Sequence, residues 1–190
     1  SAATKVAARV MNPSAVRARS LYVCGLAEHR LRRTDDAIMS LEEAARCSIA
    51  AGDDRNLASI HELLGRIHGS TGQLAEALHH YAMSLVEWAI RGDRVAMSTV
   101  LVRVGRVHWQ AGRSTDAVAA FDRALDLARA EGASYALACA LNSRGEAHCS
   151  AGRLKQAEAD QREAIALCQH EGFSYVEFFS RAGLALCLAR

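Results

Sequence analysis

Proline is nearly absent from the 190 residues: Pro13 is the only one, so beyond it nothing in the backbone forbids helix. Aromatic residues make up 5% and β-branched runs are few, while Ala, Leu, Arg and Glu, all strong helix formers, dominate. The chain is expected to be all-α. Excess charge is missing too. Lys plus Arg number 23 against 21 Asp plus Glu, a formal net charge of +2, too small to suggest general binding to nucleic acid or to an anionic membrane. No apolar run approaches the roughly 18 residues of a membrane helix, and the amino terminus lacks the basic, apolar and small-residue segments of a signal peptide. The expected address is cytoplasmic, with no membrane partner. Collagen, mucin-like disorder and coiled coil are excluded by composition, and 51% apolar with 23% charged residues is that of a globular chain long enough to bury a sizeable core.

Six cysteines, Cys24, Cys47, Cys139, Cys149, Cys168 and Cys187, are too sparse for a disulfide framework and form no CxxC clip. They are read as reduced, mostly packed thiols.

What the chain does have is a period. Compared with itself it repeats every 40 residues without a gap: CGLAEHRLRRTDDAIMSLEEA from Cys24, LGRIHGSTGQLAEALHHYAMS from Leu64, VGRVHWQAGRSTDAVAAFDRA from Val104 and RGEAHCSAGRLKQAEADQREA from Arg144. Gly25, Gly65, Gly105 and Gly145 fall within helical stretches, where glycine costs about 1 kcal/mol against alanine, so their recurrence implies a neighbouring helix too close to admit a side chain. Ala37, Ala77, Ala117 and Ala157 make a second small-residue column. Leu41, Tyr81, Phe121 and Gln161 lie four residues further on the same helical face. Small residues are expected to meet large ones across each helix pair.

Gly72, Gly112 and Gly152 stand where a left-handed helix C-cap belongs, with Arg32 in that place in the first unit. Gly52, Gly92, Gly132 and Gly172 close the units, and Asp53, Asp93, Ser134 and Ser174 are available to cap the helices that follow. Each unit therefore reads as helix A, turn, helix B, turn; in the second unit the two helices fall near 54–70 and 74–91. Such a hairpin cannot bury both apolar faces alone, and stacking on its neighbours gives a solenoid.

The pattern Leu64-Gly65, Gly72, Ala77, Tyr81 and its copy Val104-Gly105, Gly112, Ala117, Phe121 resembles the tetratricopeptide repeat (TPR), and the resemblance covers nearly the whole chain. A period of 40 rather than 34 is similar to the long-helix variety of kinesin light chains and of bacterial multidomain, nucleotide-switched (STAND-type) transcription regulators. With 21 arginines against two lysines, a GC-rich bacterial source and the regulator comparison are favoured. The resemblance implies a right-handed solenoid of antiparallel hairpins forming one domain over 1–190: a partial helix B at 1–12, repeats near 13–52, 53–92, 93–132 and 133–172, and a partial repeat at 173–190. The chain then starts and stops within a repeat, which reads as a fragment of a longer protein or an array whose open end pairs with a second copy. The first unit, with Arg32, and the fourth, with Arg144 for leucine and Gln161 for an aromatic, depart from the pattern and are expected to pack less tightly.

His68, His108 and His148 share one column. Helices of neighbouring repeats lie about 8–10 Å apart, whereas zinc holds its nitrogens at about 2.1 Å, so a shared metal is not expected; each ring is expected to pack with a satisfied nitrogen. His79 and His80 are read as solvent-facing, and Trp88 as core. No nucleophile, base or acid pair converges. No GxGxxG or GxxxxGKS/T loop occurs. The chain reads as a non-enzyme with no cofactor and no metal.

Function then belongs to a surface. The resemblance implies that the A helices line a concave groove, where the columns place Arg19, Tyr22, Glu62, Arg66, Val102, Arg106, Trp109, Asn142 and Glu146 as candidate partner-binding residues. Arginine offers bidentate donors to carboxylates, tryptophan a rigid apolar contact, and asparagine both a donor and an acceptor for a peptide backbone. Glu62 and Arg66 are equally spaced for an intrahelical pair worth about 0.2–0.5 kcal/mol. The expected function is recognition of a protein or peptide segment, as an interaction or sensor module of a larger regulator. Self-association through the open repeat ends is the alternative, and a nucleic-acid-binding helical repeat is disfavoured by the balanced charge.

Overall fold

The computed structural model describes residues 13–52 and 54–189. Among them every element is helical: α1 (Pro13–Arg30), α2 (Thr34–Ala51), α3 (Asp54–Ser70), α4 (Leu74–Arg91), α5 (Arg94–Gln110), α6 (Ser114–Ala130), α7 (Ser134–Ser150), α8 (Leu154–Glu171) and α9 (Ser174–Leu188). The helix pair expected at 54–70 and 74–91 thus occupies α3 and α4. The partial helix expected at 1–12, and Asp53 as a cap, lie outside the described residues.

The small-to-large pairing holds each hairpin shut. A methyl group added at Gly65 would stand 2.6 Å from the Tyr81 ring, and one at Gly105 would stand 2.5 Å from Phe121. The same relation joins Gly25 to Leu41 and Gly145 to Gln161. Ala37, Ala77, Ala117 and Ala157, one turn before those large residues, are fully buried, so helix B approaches helix A along its smallest face. The contact rests on shape, because Leu41, Phe121 and Gln161 fill the same niche with no exposed surface. The fourth repeat is therefore closed at this point, against the looser packing expected for it.

Turns inside the hairpins stop each A helix in one way. Gly112 lies at φ +73°, and Arg113 N–H donates to the His108 carbonyl at 2.9 Å. Gln73 to His68 and Arg153 to His148 repeat that bond at the same length, which satisfies a carbonyl that the helix end leaves open. Arg32 adopts the same left-handed conformation at φ 62° without being glycine. The Asp93 carboxylate accepts from Ala96 N–H at 2.9 Å, as a helix cap does. Ser134 and Ser174 instead begin their helices, and Ala133 and Phe173 hold the cap positions without a side-chain bond.

The helices gather into two compact units, one ending at Arg91 and the other starting at Gly92. In the first, α1 pairs with α2 and α3 with α4, and α3 packs on both α2 and α1. In the second, α6 lies between α5 and α7, and α8 between α7 and α9. There α7 also touches α5 on one side and α9 on the other, so three A helices stand side by side in one layer and two B helices form the layer behind.

Candidate functional site

The layer of α5, α7 and α9 encloses a cavity of about 430 Å³. Its floor is buried: Val102, Ala136, Asn142, Ser143 and Val176. Its two ends differ in chemistry. At the starts of α7 and α9 stand Tyr135 and Tyr175, with Phe179 one turn further, and all three are exposed. Tyr175 and Phe179 meet edge to face with centroids 4.9 Å apart. Eleven residues beyond Tyr135 on α7, roughly 16 Å along a helix, Glu146 marks the other end, and Arg103 and Arg106 of α5 also line the cavity. Arg106 is exposed and has no carboxylate partner among the described residues.

Asn142 braces this floor. Its Oδ1 accepts from the Ser180 hydroxyl of α9 at 3.3 Å, and its Nδ2 donates to Glu146 Oε1 at 3.2 Å. The amide thereby ties α7 to α9 and aims the Glu146 carboxylate. Cys139, also in the lining, is a poor nucleophile: burial pushes its thiol up, against a hydrogen bond from Tyr135 and the pull of Arg103 and Arg106. The neighbouring Cys139 and partial burial in turn hold the Tyr135 phenol above its ordinary range. With the thiol protonated at neutral pH, the groove presents fixed donors, one carboxylate and aromatic faces. That chemistry suits recognition.

Of the residues expected in a groove, Val102, Arg106, Asn142 and Glu146 come together here. Trp109 is half-buried near the end of α5 and is not part of this lining. In the first unit Tyr22, Glu62 and Arg66 form a second group across α1 and α3. Burial raises the Tyr22 phenol, Glu62 adds to the rise and Arg66 opposes it. His29 is lowered by burial first and then by Arg66 and Arg32. Arg19 is exposed on α1, one turn before Tyr22. Sequence reasoning did not select Arg103, Tyr135 or Tyr175. The two tyrosines stand 40 residues apart in one column, a signal that was available; Arg103 adjoins Val102 and follows no repeat rule.

The histidine column departs from expectation. His68 Nδ1 donates to Gln73 Oε1 at 2.5 Å, but His108 Nδ1 and His148 Nδ1 are buried with no hydrogen-bond partner among the described residues. His108 lies 3.8 Å from Asp116 and His148 lies 3.9 Å from Asp160, both beyond hydrogen-bond reach. Burial is the first cause lowering both rings. Among the described residues no group of three or more His, Cys, Asp or Glu is placed to hold a metal ion. His79 is exposed, but His80 is half-buried against α3, unlike the solvent-facing pair expected. Trp88, read as core, is also only half-buried, with the Arg91 guanidinium 5.6 Å from its ring centre. No described helix is long and apolar enough to cross a membrane.

No curated protein matches the chain. Among solved structures, the apo form of RapI is similar over 90% of this chain and 63% of its own, with 13% identity and a TM-score of 0.82. A signal transduction ATPase with numerous domains (STAND) carrying a tetratricopeptide repeat sensor, from Pyrococcus horikoshii, is similar over 93% of this chain and 28% of its own, with 14% identity and a TM-score of 0.83. Tetratricopeptide-like repeats of a putative kinesin light chain from Podosopora anserina are similar over 93% of this chain and 87% of their own, with 14% identity and a TM-score of 0.72. The chain spans less than two thirds of the first two, and at these identities the likeness is one of fold. A tetratricopeptide-repeat family model matches residues 92–189, which is more than half of the 190 residues and includes every side chain lining the cavity. The chain belongs to the tetratricopeptide-repeat family.

Proposed function

We propose that the chain is a non-catalytic binding module whose α5–α7–α9 groove receives a peptide or a segment of another protein. One observation carries this reading: a single cavity joins unpaired Arg106 and its neighbour Arg103 to an exposed aromatic end built by Tyr135, Tyr175 and Phe179. Guanidinium groups suit carboxylates or backbone carbonyls, and exposed rings suit an apolar side chain. Glu146, aimed by Asn142, offers a carboxylate to the backbone N–H groups of such a segment. The Pyrococcus protein's repeats are described as a sensor, which supports a sensor role here; the chain's place in a larger, cytoplasmic bacterial regulator is part of the proposal, favoured by 21 arginines against two lysines.

Selection from a displayed library of random peptides, followed by fluorescence anisotropy with the selected peptides, tests the groove. Arg106→Ala and Tyr175→Ala should each weaken binding about tenfold, with helicity unchanged and with Arg123→Ala, on the exposed side of α6, as an inert control. Failure to select any peptide, or affinities indifferent to both substitutions, overturns the reading. Self-association is a second reading, favoured by Phe178, Leu186 and Leu188 on α9, each more than half exposed. It requires a concentration-dependent mass in analytical ultracentrifugation that Phe178→Glu abolishes.

A further inference from the structure

One cluster in the first unit has no part in the groove. His61 of α3 and His80 of α4 face each other with their Nδ1 atoms 3.1 Å apart. Their ring centroids are 5.4 Å apart and their planes differ by 25°. That centroid spacing is the nitrogen–nitrogen distance plus one ring radius on either side, so the rings meet edge to edge through Nδ1. Two nitrogens so placed share a proton: one ring donates and the other accepts through its lone pair. His68, two turns after His61 on α3, also packs on His80 with centroids 5.2 Å apart, and His79 makes an edge contact at 5.4 Å.

The charged groups acting on His80 are therefore His61 and His68 from α3 and His79 from its own helix, and His79 acts on His61. None of the charged groups acting on either ring comes from the other two helices packed on α3. Glu43 of α2 is held by Arg17 and Arg46, and Tyr22 and His29 of α1 face Glu62 and Arg66. No carboxylate is among the groups acting on either ring of the pair.

We propose that the α3–α4 hairpin is an acid-triggered joint, held by the proton shared between His61 and His80 and opened when both rings become cations. In the neutral pair one ring carries its proton on Nδ1 and the other on Nε2. A first proton from solvent lands on Nε2 of the donor ring and leaves the shared bond intact. A second finds only the accepting Nδ1, where it turns the lone pair into an N–H. Two N–H groups and two positive charges then oppose each other, and the bond is lost.

Burial resists these charges from the outset. It is the first cause holding both rings below the ordinary histidine value of 6.5, and His80, pressed further by His61, His68 and His79, is lowered to about 4. A base depressed in the folded state stabilises fully above its unfolded value, and that contribution is lost as pH falls from 6.5 toward 4. Because α3 also carries Glu62 and Arg66, opening the joint displaces two residues of the face that α1 and α3 share.

His61→Gln in the full chain tests the joint, because an amide keeps a donor and an acceptor in place and takes no proton. Between about pH 7.5 and about pH 4.5, the natural chain should lose at least about 5 °C more in melting temperature than the variant. Hydrogen-exchange mass spectrometry, corrected for intrinsic rates, should show amide opening across α3 and α4 rising at least about tenfold more than across α5–α9. Equal losses of melting temperature, or exchange rising evenly over all helices, overturns the proposal. If the variant does not fold, ring nitrogen resonances of the natural chain decide. Titration in two steps, the second near pH 4, supports the joint; both rings titrating together in the ordinary histidine range overturns it.

Discussion

Gln161 Nε2 donates to the backbone carbonyl of Asn142 at 3.2 Å from the place where the two preceding repeats hold Tyr81 and Phe121. The side chain is fully buried and wedged between Gly145 and Gly183, while its Oε1 has no partner among the described residues. A buried acceptor left open costs about 1–3 kcal/mol, and an apolar group of similar shape removes that cost. Gln161→Met is therefore expected to stabilise the chain by about 1 kcal/mol in urea unfolding. Gln161→Ala, which leaves a void between two glycines, should destabilise it by about 2 kcal/mol.

Gly105 and Gly112 are both required, for different reasons, and alanine separates them. At Gly105 the new methyl would stand 2.5 Å from Phe121, a ring with no exposed surface and nowhere to retreat. At Gly112 nothing lies within 4 Å, and the obstacle is φ +73° alone. Gly105→Ala is expected to cost about 3 kcal/mol through overpacking, and Gly112→Ala about 1 kcal/mol through backbone strain. Equal losses in parallel melts would mean that the close approach is not what fixes the first column.

That contrast shows what the amino-acid order makes legible. A 40-residue period places both glycine columns, and with them the hairpins, because each column reflects a local geometric demand that recurs in every unit. The resemblance, carried along that period column by column, set Val102, Arg106, Asn142, Glu146 and Trp109 in a groove, and the first four line one cavity. Trp109 does not line it, because the column rule places a Cα, whereas membership of the cavity depends on where a long side chain turns. Asn142 was read as a ligand for peptide backbone; its bonds to Ser180 and Glu146 bind it first to its own fold. The His61–His80 contact has no repeat equivalent, since the corresponding columns hold Leu101 and Ala120, then Leu141 and Asp160. Translation hides a contact made once.

Arg32 offers a gain in stability. It takes φ 62° where the three following inner turns have glycine, and a side chain in that region costs about 1–2 kcal/mol. Arg32 is exposed, so little packing is forfeited by removing it. Arg32→Gly should raise stability by about 0.5–1 kcal/mol, after glycine's greater unfolded-state entropy has offset part of the relief. A melting temperature that falls instead would show that the arginine side chain contributes more than its exposure indicates.

Arg144, which stands where leucine was expected, has drawn two carboxylates to it, and they differ in burial. It donates from Nε and Nη2 to both oxygens of Asp160 at 2.9 and 2.6 Å, and from Nη1 to Asp122 at 2.6 Å. The Asp160 side chain is 7% exposed and that of Asp122 is 50% exposed. Its hydrogen bonds to Asp160 are the largest cause raising the arginine's already high pKa, and a guanidinium stays charged at neutral pH even without them. Asp160→Ala then leaves a mostly buried guanidinium half-unpaired and is expected to cost about 3 kcal/mol. Asp122→Ala removes a solvent-screened pair and should cost less than about 1 kcal/mol. Replacing Arg144 and Asp160 together by Val and Ala, as at Val104 and Ala120 one repeat earlier, should recover most of the loss. Urea denaturation of the two single variants and the double replacement measures the coupling, and additive losses would show that the cluster is held by packing rather than by its charges.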